Sequence, residues 1–457
     1  MAGKNGGPLA GIRVIDCTTV NAMPTAMYCM GDMGAEVIKV EAHTRLRTEG
    51  LGPFPDGAPG EKWWNRDGGF QRLNRSKLGI TLNLKSAEAI DTFKRLVAVS
   101  DIVAENNRPG VMERLGLGYE ELRKINPSLI YFSFSGFGQT GPWRDYQGIG
   151  RMFELTAGVS QFTGYPDESP RRVGSAWFDP PNGWTVVFAL LSALHNRERT
   201  GKGQYMDHAM YQMAVSTLGD AILDWEVNGR NGRMMGNTHP YLAPHGAYPC
   251  KGDDRWVVIT AEDDAQWEAL VAAMGSPVWA GEERFGDGLS RWKNREALDK
   301  NISAWTRKHS AEGLMSLLQE AGVPAGVAQN ARDTMLDPQM RERGFFEVVE
   351  HAKHLNIGPR HYGGQPWKMS KSRTYIRRPA PDLGQDNEYV LGEILGMSEA
   401  EVTKLYELGA IGREPEPPPK PKANRSQEEL RRQYEKSVEE GSLAGYDGDF
   451  KGRLGLE

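Results

Sequence analysis

The chain has 457 residues, 39% hydrophobic and 25% charged, with a formal net charge of -5 at pH 7 and a mean hydropathy of -0.55. That length accommodates two or three domains, and the composition is that of a globular protein, without an apolar run long enough to span a bilayer. The mild acidity excludes a global electrostatic pull toward nucleic acid, so a polyanionic ligand needs a local basic pocket.

In chain order, the opening MAGKNGGPLAGIRVID has no long apolar stretch, and a secretory leader is not expected. GIRVID (11–16) reads as a strand, 24–33 as a helix stopped by Gly34, and AEVIKVE (35–41) as a second strand. A β-α-β unit this short implies a right-handed crossover and a parallel sheet. The alternation continues with strands at 78–84, 101–106 and 129–138 and helices at 86–100 and 119–126. Residues 1–200 therefore read as an α/β fold whose loops after the strands face ligand. Pro180 and Pro181 open a helix over 180–198, closed by the basic, glycine-bearing RERTGKG; a second long helix is expected over 205–228.

A different region begins at Gly229. RWVVITA (255–261) is strand-like, helices fall near 265–274, 294–308 and 310–321, and AGVPAGVAQ (321–329) is rich in turn residues. The expected division is a large domain over 1–228, a small domain over 229–329, a return to the large domain over 330–412, and a Pro-rich linker with a charged tail over 413–457. Cys17, Cys29 and Cys250 form no CxxC pair. They fit a reducing, cytoplasmic setting and argue against a zinc site or a disulfide framework.

Chemistry centres first on Asp179 in SAWFDPPNGW. An aspartate just before two prolines sits at a helix start, where free N–H groups and the helix dipole favour a carboxylate. A capping role accounts for this pattern as well as a nucleophilic one does. The loops AENNRPG (104–110) and FSGFGQTGP (134–142), with Lys85 and Arg114, offer cations and bare backbone N–H groups suited to phosphates, or simply tight turns. No GxxxxGK[ST] or GxGxxG opens a helix, which leaves NTPase and dinucleotide chemistry without support. His351 and His354 have spacing for a metal but no third ligand, and no metal site is assigned. His239 and His245 lie in a Gly/Pro-bearing stretch, 236–247, that reads as a surface loop. Met23, Met27, Met30 and Met33 read as a core stripe.

Taken together, PLAGIRVIDCTTV, GAEVIKVE, NRSKLGITLNLK, DIVAENNRPGVMERLGLGYEEL, NPSLIYFSFSGFGQTGP, ALHNRERTGKGQYMDHAM and LQEAGVPAGVAQNARDTMLDPQMRERG resemble the class III CoA-transferases and the related α-methylacyl-CoA racemases, over most of residues 8–412. The resemblance implies an α/β fold with a Rossmann-like large domain and a small α+β domain, in an open-ring chain that forms an interlocked homodimer. A heteromer with a paralogous subunit is the variant of that assembly. It implies transfer of CoA from an acyl-CoA to a carboxylic acid, with coenzyme A as substrate, no permanently bound cofactor and no nucleic-acid or membrane partner. The family nucleophile falls on Asp179. The CoA contacts fall on Val20, Asn21, Leu82, Lys85, Asn106, Asn107, Arg108, Arg114, Gln147 and Gly148.

Four departures narrow the activity. Ala42 stands where the family often has an arginine, with His43 or Arg45 nearby as substitutes. Ile149 replaces the histidine of the racemases, which weighs against racemisation because two groups must move the α-proton. Gly150 replaces a glutamate of some transferases, which keeps a supporting, non-catalytic subunit as an alternative. The glycine-rich flap that would favour oxalate is missing at 236–247. Arg151, Arg171 and Arg172 are candidates for a second substrate carboxylate or plain surface charges, and Trp177, Phe178 and Trp184 permit a bulky acyl group.

Overall fold

The structure is a computed structural model that describes residues 6–46, 53–57, 59–174, 177–416, 432, 435, 436, 439 and 449–456. The chain divides into two compact units, one of Met1–Ala157, Gly174–Gly219 and Pro338–Glu457, the other of Gly158–Val173 and Asp220–Asp337. Most of the Pro-rich linker and charged tail lies outside the described residues.

The first unit is built on six strands: β1 (Arg13–Cys17), β2 (Glu36–Glu41), β3 (Lys77–Thr81), β4 (Ile102–Glu105), β5 (Ile130–Ser135) and β6 (Gln204–Ala209). Their order is β3-β2-β1-β4-β5-β6, and every neighbouring pair is parallel. β4 and β5 are buried along their whole length, as expected of parallel strands covered on both faces, and this is why they read as continuous apolar runs. In a sheet of this order all carboxyl ends lie on one edge, and the direction of winding reverses between β1 and β4. A ligand crevice is expected at that reversal.

Helices follow the strands. The principal ones are α1 (Ala22–Asp32), α2 (Gly68–Asn74), α3 (Ala87–Ala98), α4 (Tyr119–Ile125), α5 (Gly150–Thr156) and α6 (Asp179–Thr200). The methionine stripe packs as expected, with Met23, Met27 and Met30 fully buried and Met33 nearly so. α6 lies against α1, and the contact depends on Gly183. A Cβ there would come within 2.7 Å of the Ala22 carbonyl oxygen and 2.8 Å of Thr25 Cβ, so only glycine lets the first turns of the two helices meet.

Two expectations are corrected. The stretch 205–228 is not one long helix: Gln204–Ala209 is edge strand β6, followed by the short helices Met210–Ser216 and Gly219–Asn228. Pairing with β5, from Ile130 opposite Gln204 to Ser135 opposite Ala209, decides the conformation of residues with little intrinsic strand preference. The turn-rich stretch 321–329 also contains a strand, β9 below, whose three residues are too few to register as a pattern.

The second unit carries the antiparallel sheet β7 (His245–Pro249), β8 (Trp256–Thr260) and β9 (Ala325–Val327) over helices α7 (Asp264–Ala273), α8 (Arg295–Thr306) and α9 (Ala311–Glu320). Tyr248, Val257, Ile259, Leu270, Leu298 and Leu318 form part of its core. His245 thus belongs to a strand, and its Nδ1 lies 3.1 Å from Thr260 Oγ1. His351 and His354 do not face a shared ligand: His351 bonds Gly358 and Tyr362, and His354 pairs with Asp382. Cys17, Cys29 and Cys250 are buried and not joined in disulfides. Among the described residues no helix is long and apolar enough to cross a membrane, and no cluster of three metal-binding side chains occurs.

Candidate active site

Three helix starts, those of α1, α5 and α6, meet beside the β1–β4 reversal. β1 ends at Cys17, and the chain turns through Val20 into Asn21, the residue capping α1. Val20 has φ 71°, a left-handed conformation that a β-branched side chain adopts only at a cost of order 1–3 kcal/mol. Its side chain is exposed. The strain is stored where the crevice is expected. Asn106, just past β4, spans the reversal: its Oδ1 accepts from the Thr19 N–H at 2.9 Å and its Nδ2 donates to the Thr19 carbonyl at 2.8 Å.

Asp179 is the first residue of α6, with the two prolines in the positions where missing N–H groups cost nothing. It is 9% exposed. Its Oδ2 accepts a hydrogen bond from Asn21 Nδ2 at 3.2 Å, and Asn21 Oδ1 accepts from an Arg72 guanidinium N–H at 2.9 Å. Asn21 is therefore held in one amide orientation, donor toward the carboxylate and acceptor toward the cation. Oδ1 accepts no hydrogen bond among the described residues. It faces Gly150 at the start of α5, where an added Cβ would lie 2.7 Å from Oδ1 and 2.9 Å from Oδ2. Burial pushes the Asp179 carboxyl above its ordinary value of 3.8. The Asn21 bond and the Arg72 charge pull it back, and the buried Glu154 pushes it up.

The start of α6 is fixed from behind by Asn182, whose Nδ2 donates to the Phe178 carbonyl at 2.8 Å and whose Oδ1 lies 2.9 Å from His208 Nε2 of β6. His208 stacks on Phe134 at 5.1 Å, and burial lowers it to about 4, so it stands neutral at physiological pH and donates to Asn182. Beneath the β1 turn lies a buried ion pair, Lys77 Nζ to Asp16 Oδ2 at 2.8 Å, both side chains without exposure. Lys39 Nζ donates to the Thr18 carbonyl at 2.9 Å. Burial alone would raise Asp16, but Lys77 and Lys39 overrule it and hold the carboxyl below its ordinary value; burial brings Lys77 down to about 8.

The remaining expected contacts lie on loops after β3, β4 and β5. Lys85, Arg108 and Arg114 are exposed cations at the carboxyl edge of the sheet. Arg114 folds back over the loop after β4, where a Cβ on Gly110 would come within 3.0 Å of its guanidinium. Asn107 is tied to Glu105 through its N–H and its side chain. Leu82 sits in the apolar core and its N–H donates to Glu41, so its side chain is not open to a ligand. Gln147 and Gly148 are exposed, and Gly148 is pressed against Phe153, with room only for a glycine. Arg151 and Arg172 are also exposed, and Arg171 pairs with Glu168. Sequence reasoning missed Arg72 and Glu154. Arg72 lies 51 positions from Asn21, and Asn21 lies 158 from Asp179, so no local spacing links the three.

The first unit is thus a doubly wound α/β protein with a buried carboxylate at a helix start beside the winding reversal of its parallel sheet. The chain belongs to CoA-transferase family III, whose model matches residues 9–387. It is 34% identical over 408 residues to the succinyl-CoA–D-citramalate CoA-transferase of Chloroflexus aurantiacus, covering 87% of this chain and 96% of that one. It is 36% identical over 394 residues to the succinyl-CoA:mesaconate CoA-transferase of Haloarcula marismortui, covering 85% and 96%. A crystal structure of a CaiB/BaiF family protein from Brucella suis superposes with a TM-score of 0.78 at 31% identity, over 85% of this chain and 100% of that one.

Proposed function

We propose that the protein transfers CoA from an acyl-CoA to a carboxylic acid through Asp179. Asp179 Oδ1 attacks the thioester carbonyl; the C–S bond breaks, leaving a mixed anhydride and CoA thiolate. The thiolate attacks the Asp179 carbonyl carbon, expels the donor acid as its carboxylate, and leaves CoA in thioester linkage to Asp179. The acceptor carboxylate attacks that thioester, releasing thiolate and forming a second anhydride. Thiolate attack on the acceptor's acyl carbon then yields the new acyl-CoA and restores the carboxylate. Thioester energy is conserved as long as water is kept from the anhydrides.

The observation that carries this reading is the asymmetry of Asp179: one oxygen held by Asn21, the other uncovered against Gly150. The nucleotide end of CoA is assigned to Lys85, Asn106, Asn107, Arg108 and Arg114, with Val20, Gln147 and Gly148 along the arm; the exposed cations at the sheet's carboxyl edge support it. The named relatives act on succinyl-CoA with citramalate or mesaconate, which supports carboxylic acids on both sides of the exchange. An interlocked homodimer in the cytoplasm completes the reading; exposed Ile222, Leu223, Trp225 and Val227 on the helix Gly219–Asn228 suit a subunit contact.

Incubation with an acyl-CoA and hydroxylamine should place a hydroxamate on the peptide containing Asp179. Asp179→Ala should lose roughly a thousandfold or more in transfer rate. Turnover by the wild type with no adduct on that peptide would sink the mechanism.

A further inference from the structure

Arg72 has no role in the scheme above beyond turning Asn21. It sits near the end of α2, three residues before Arg75, and the two differ sharply. Arg75 is buried, its guanidinium 2.9 Å from Asp32 and stacked over Tyr28 at 4.1 Å. Arg72 is exposed, makes one hydrogen bond, to Asn21, and forms no ion pair among the described residues. Its other N–H donors make no hydrogen bond among the described residues. A guanidinium offers five donors in a fork shaped for a carboxylate.

The position restricts the anion. A single carboxamide, Asn21, separates Arg72 from Asp179. The phosphates of a CoA whose thioester lies at Asp179 stand a full pantetheine arm away. The anion that can reach Arg72 while its acyl carbon lies against Asp179 is therefore part of the acid itself.

We propose that Arg72 binds the far carboxylate of a dicarboxylic acid whose other carboxyl group reacts at Asp179, which makes the enzyme selective for short dicarboxylates. This rests on the reading of Asp179 as nucleophile. The acid lies across Asn21, one end at Arg72 and the other at the uncovered Oδ1. The arginine that orients the amide thus also sets the length of acid that fits. Arg151, Arg171 and Arg172 are not needed for the second carboxylate.

The test compares kcat/KM for succinate and glutarate with that for butyrate and valerate, acids of matching length with one carboxylate, in the wild type and in Arg72→Gln and Arg72→Lys. The wild type should prefer the dicarboxylates. Arg72→Gln should lower the dicarboxylate-to-monocarboxylate ratio roughly 10- to 100-fold, the worth of a charge-assisted hydrogen bond, and Arg72→Lys should restore part of it. An equal loss on both kinds of acid would show that Arg72 acts only through Asn21 on the nucleophile, and would overturn the proposal. A wild type that prefers monocarboxylates, yet still forms the Asp179 hydroxamate, would overturn it while leaving the nucleophile in place. Absence of that hydroxamate would remove the underlying reading instead.

Discussion

Asp179 carries two opposed demands, since a nucleophile must be ionised and burial favours the protonated acid. Because its carboxyl is raised above 3.8, transfer should fall as pH drops through a limb lying above the ordinary aspartate range. Glu154, fully buried with Oε1 accepting from the Trp177 N–H at 3.3 Å, contributes to that rise. Glu154→Gln removes the like charge but keeps an acceptor, so the acid limb of kcat/KM should move to lower pH; a limb that stays in place or moves up would show that Glu154 does not act on Asp179. The same shift bears on stability. A carboxyl raised in the folded state stabilises fully below its unfolded pKa, and that contribution is lost as pH rises through the folded pKa. At pH 7 the ionised Asp179 is therefore a burden on the fold. Asp179→Asn should raise Tm by about 1–2 °C at pH 7 while abolishing transfer, and the gain should vanish when the melt is repeated near pH 3.

At the level of elements, the site is made by three starts, those of α1, α5 and α6, brought together by two glycines. Gly150→Ala would place a methyl group against both Asp179 oxygens, so the carboxylate must swing off Asn21. Transfer should fall by roughly a hundredfold, the penalty for a reacting group displaced by about 1 Å, with little change in Tm. A variant with near-normal turnover would show that Oδ1 reacts from another side. Asp179 was legible in the sequence because its helix announces itself: two prolines at the start, an apolar run, a glycine stop at Gly201. Its partners were not. Nothing in FQRLN marks Arg72 as facing a residue beyond position 170, and Leu82, placed against the ligand by family resemblance, has its side chain in the core. Spacing reports what one element does with its neighbours in sequence, and this site is made between elements.

In the six-stranded sheet, the strands legible in the sequence were β1 to β5, whose apolar runs end in polar or glycine turns. Of the two edges of that sheet, β3 was read as a strand at 78–84 and β6 was not. β6 carries mixed side chains because alternate positions, Tyr205 and Asp207, are exposed, and it passed for helix. β3, at the other edge, has no further strand beside it, and the return segment takes that place. Gly79 N–H donates to Asp386 Oδ2 and Asp386 N–H to the Gly79 carbonyl; Thr81 N–H donates to Asn387 Oδ1 at 2.9 Å, and Asn83 N–H to the Ala410 carbonyl. Asn387 is fully buried, and its Nδ2 reaches Thr81 Oγ1 and Tyr406. Asn387→Ala leaves the Thr81 N–H buried without an acceptor, which costs about 1–3 kcal/mol. Because the side-chain hydrogen bonds of Asn387 go to Thr81 and Tyr406 and to none of Asp179, Asn21 and Arg72, transfer at 25 °C should change less than twofold, while Tm falls by several degrees. Hydrogen exchange gives the sharper check. The amides of β3 should lose protection in Asn387→Ala while those of β4 and β5 keep theirs, and uniform protection across the sheet would mean that the return segment does not seal its edge.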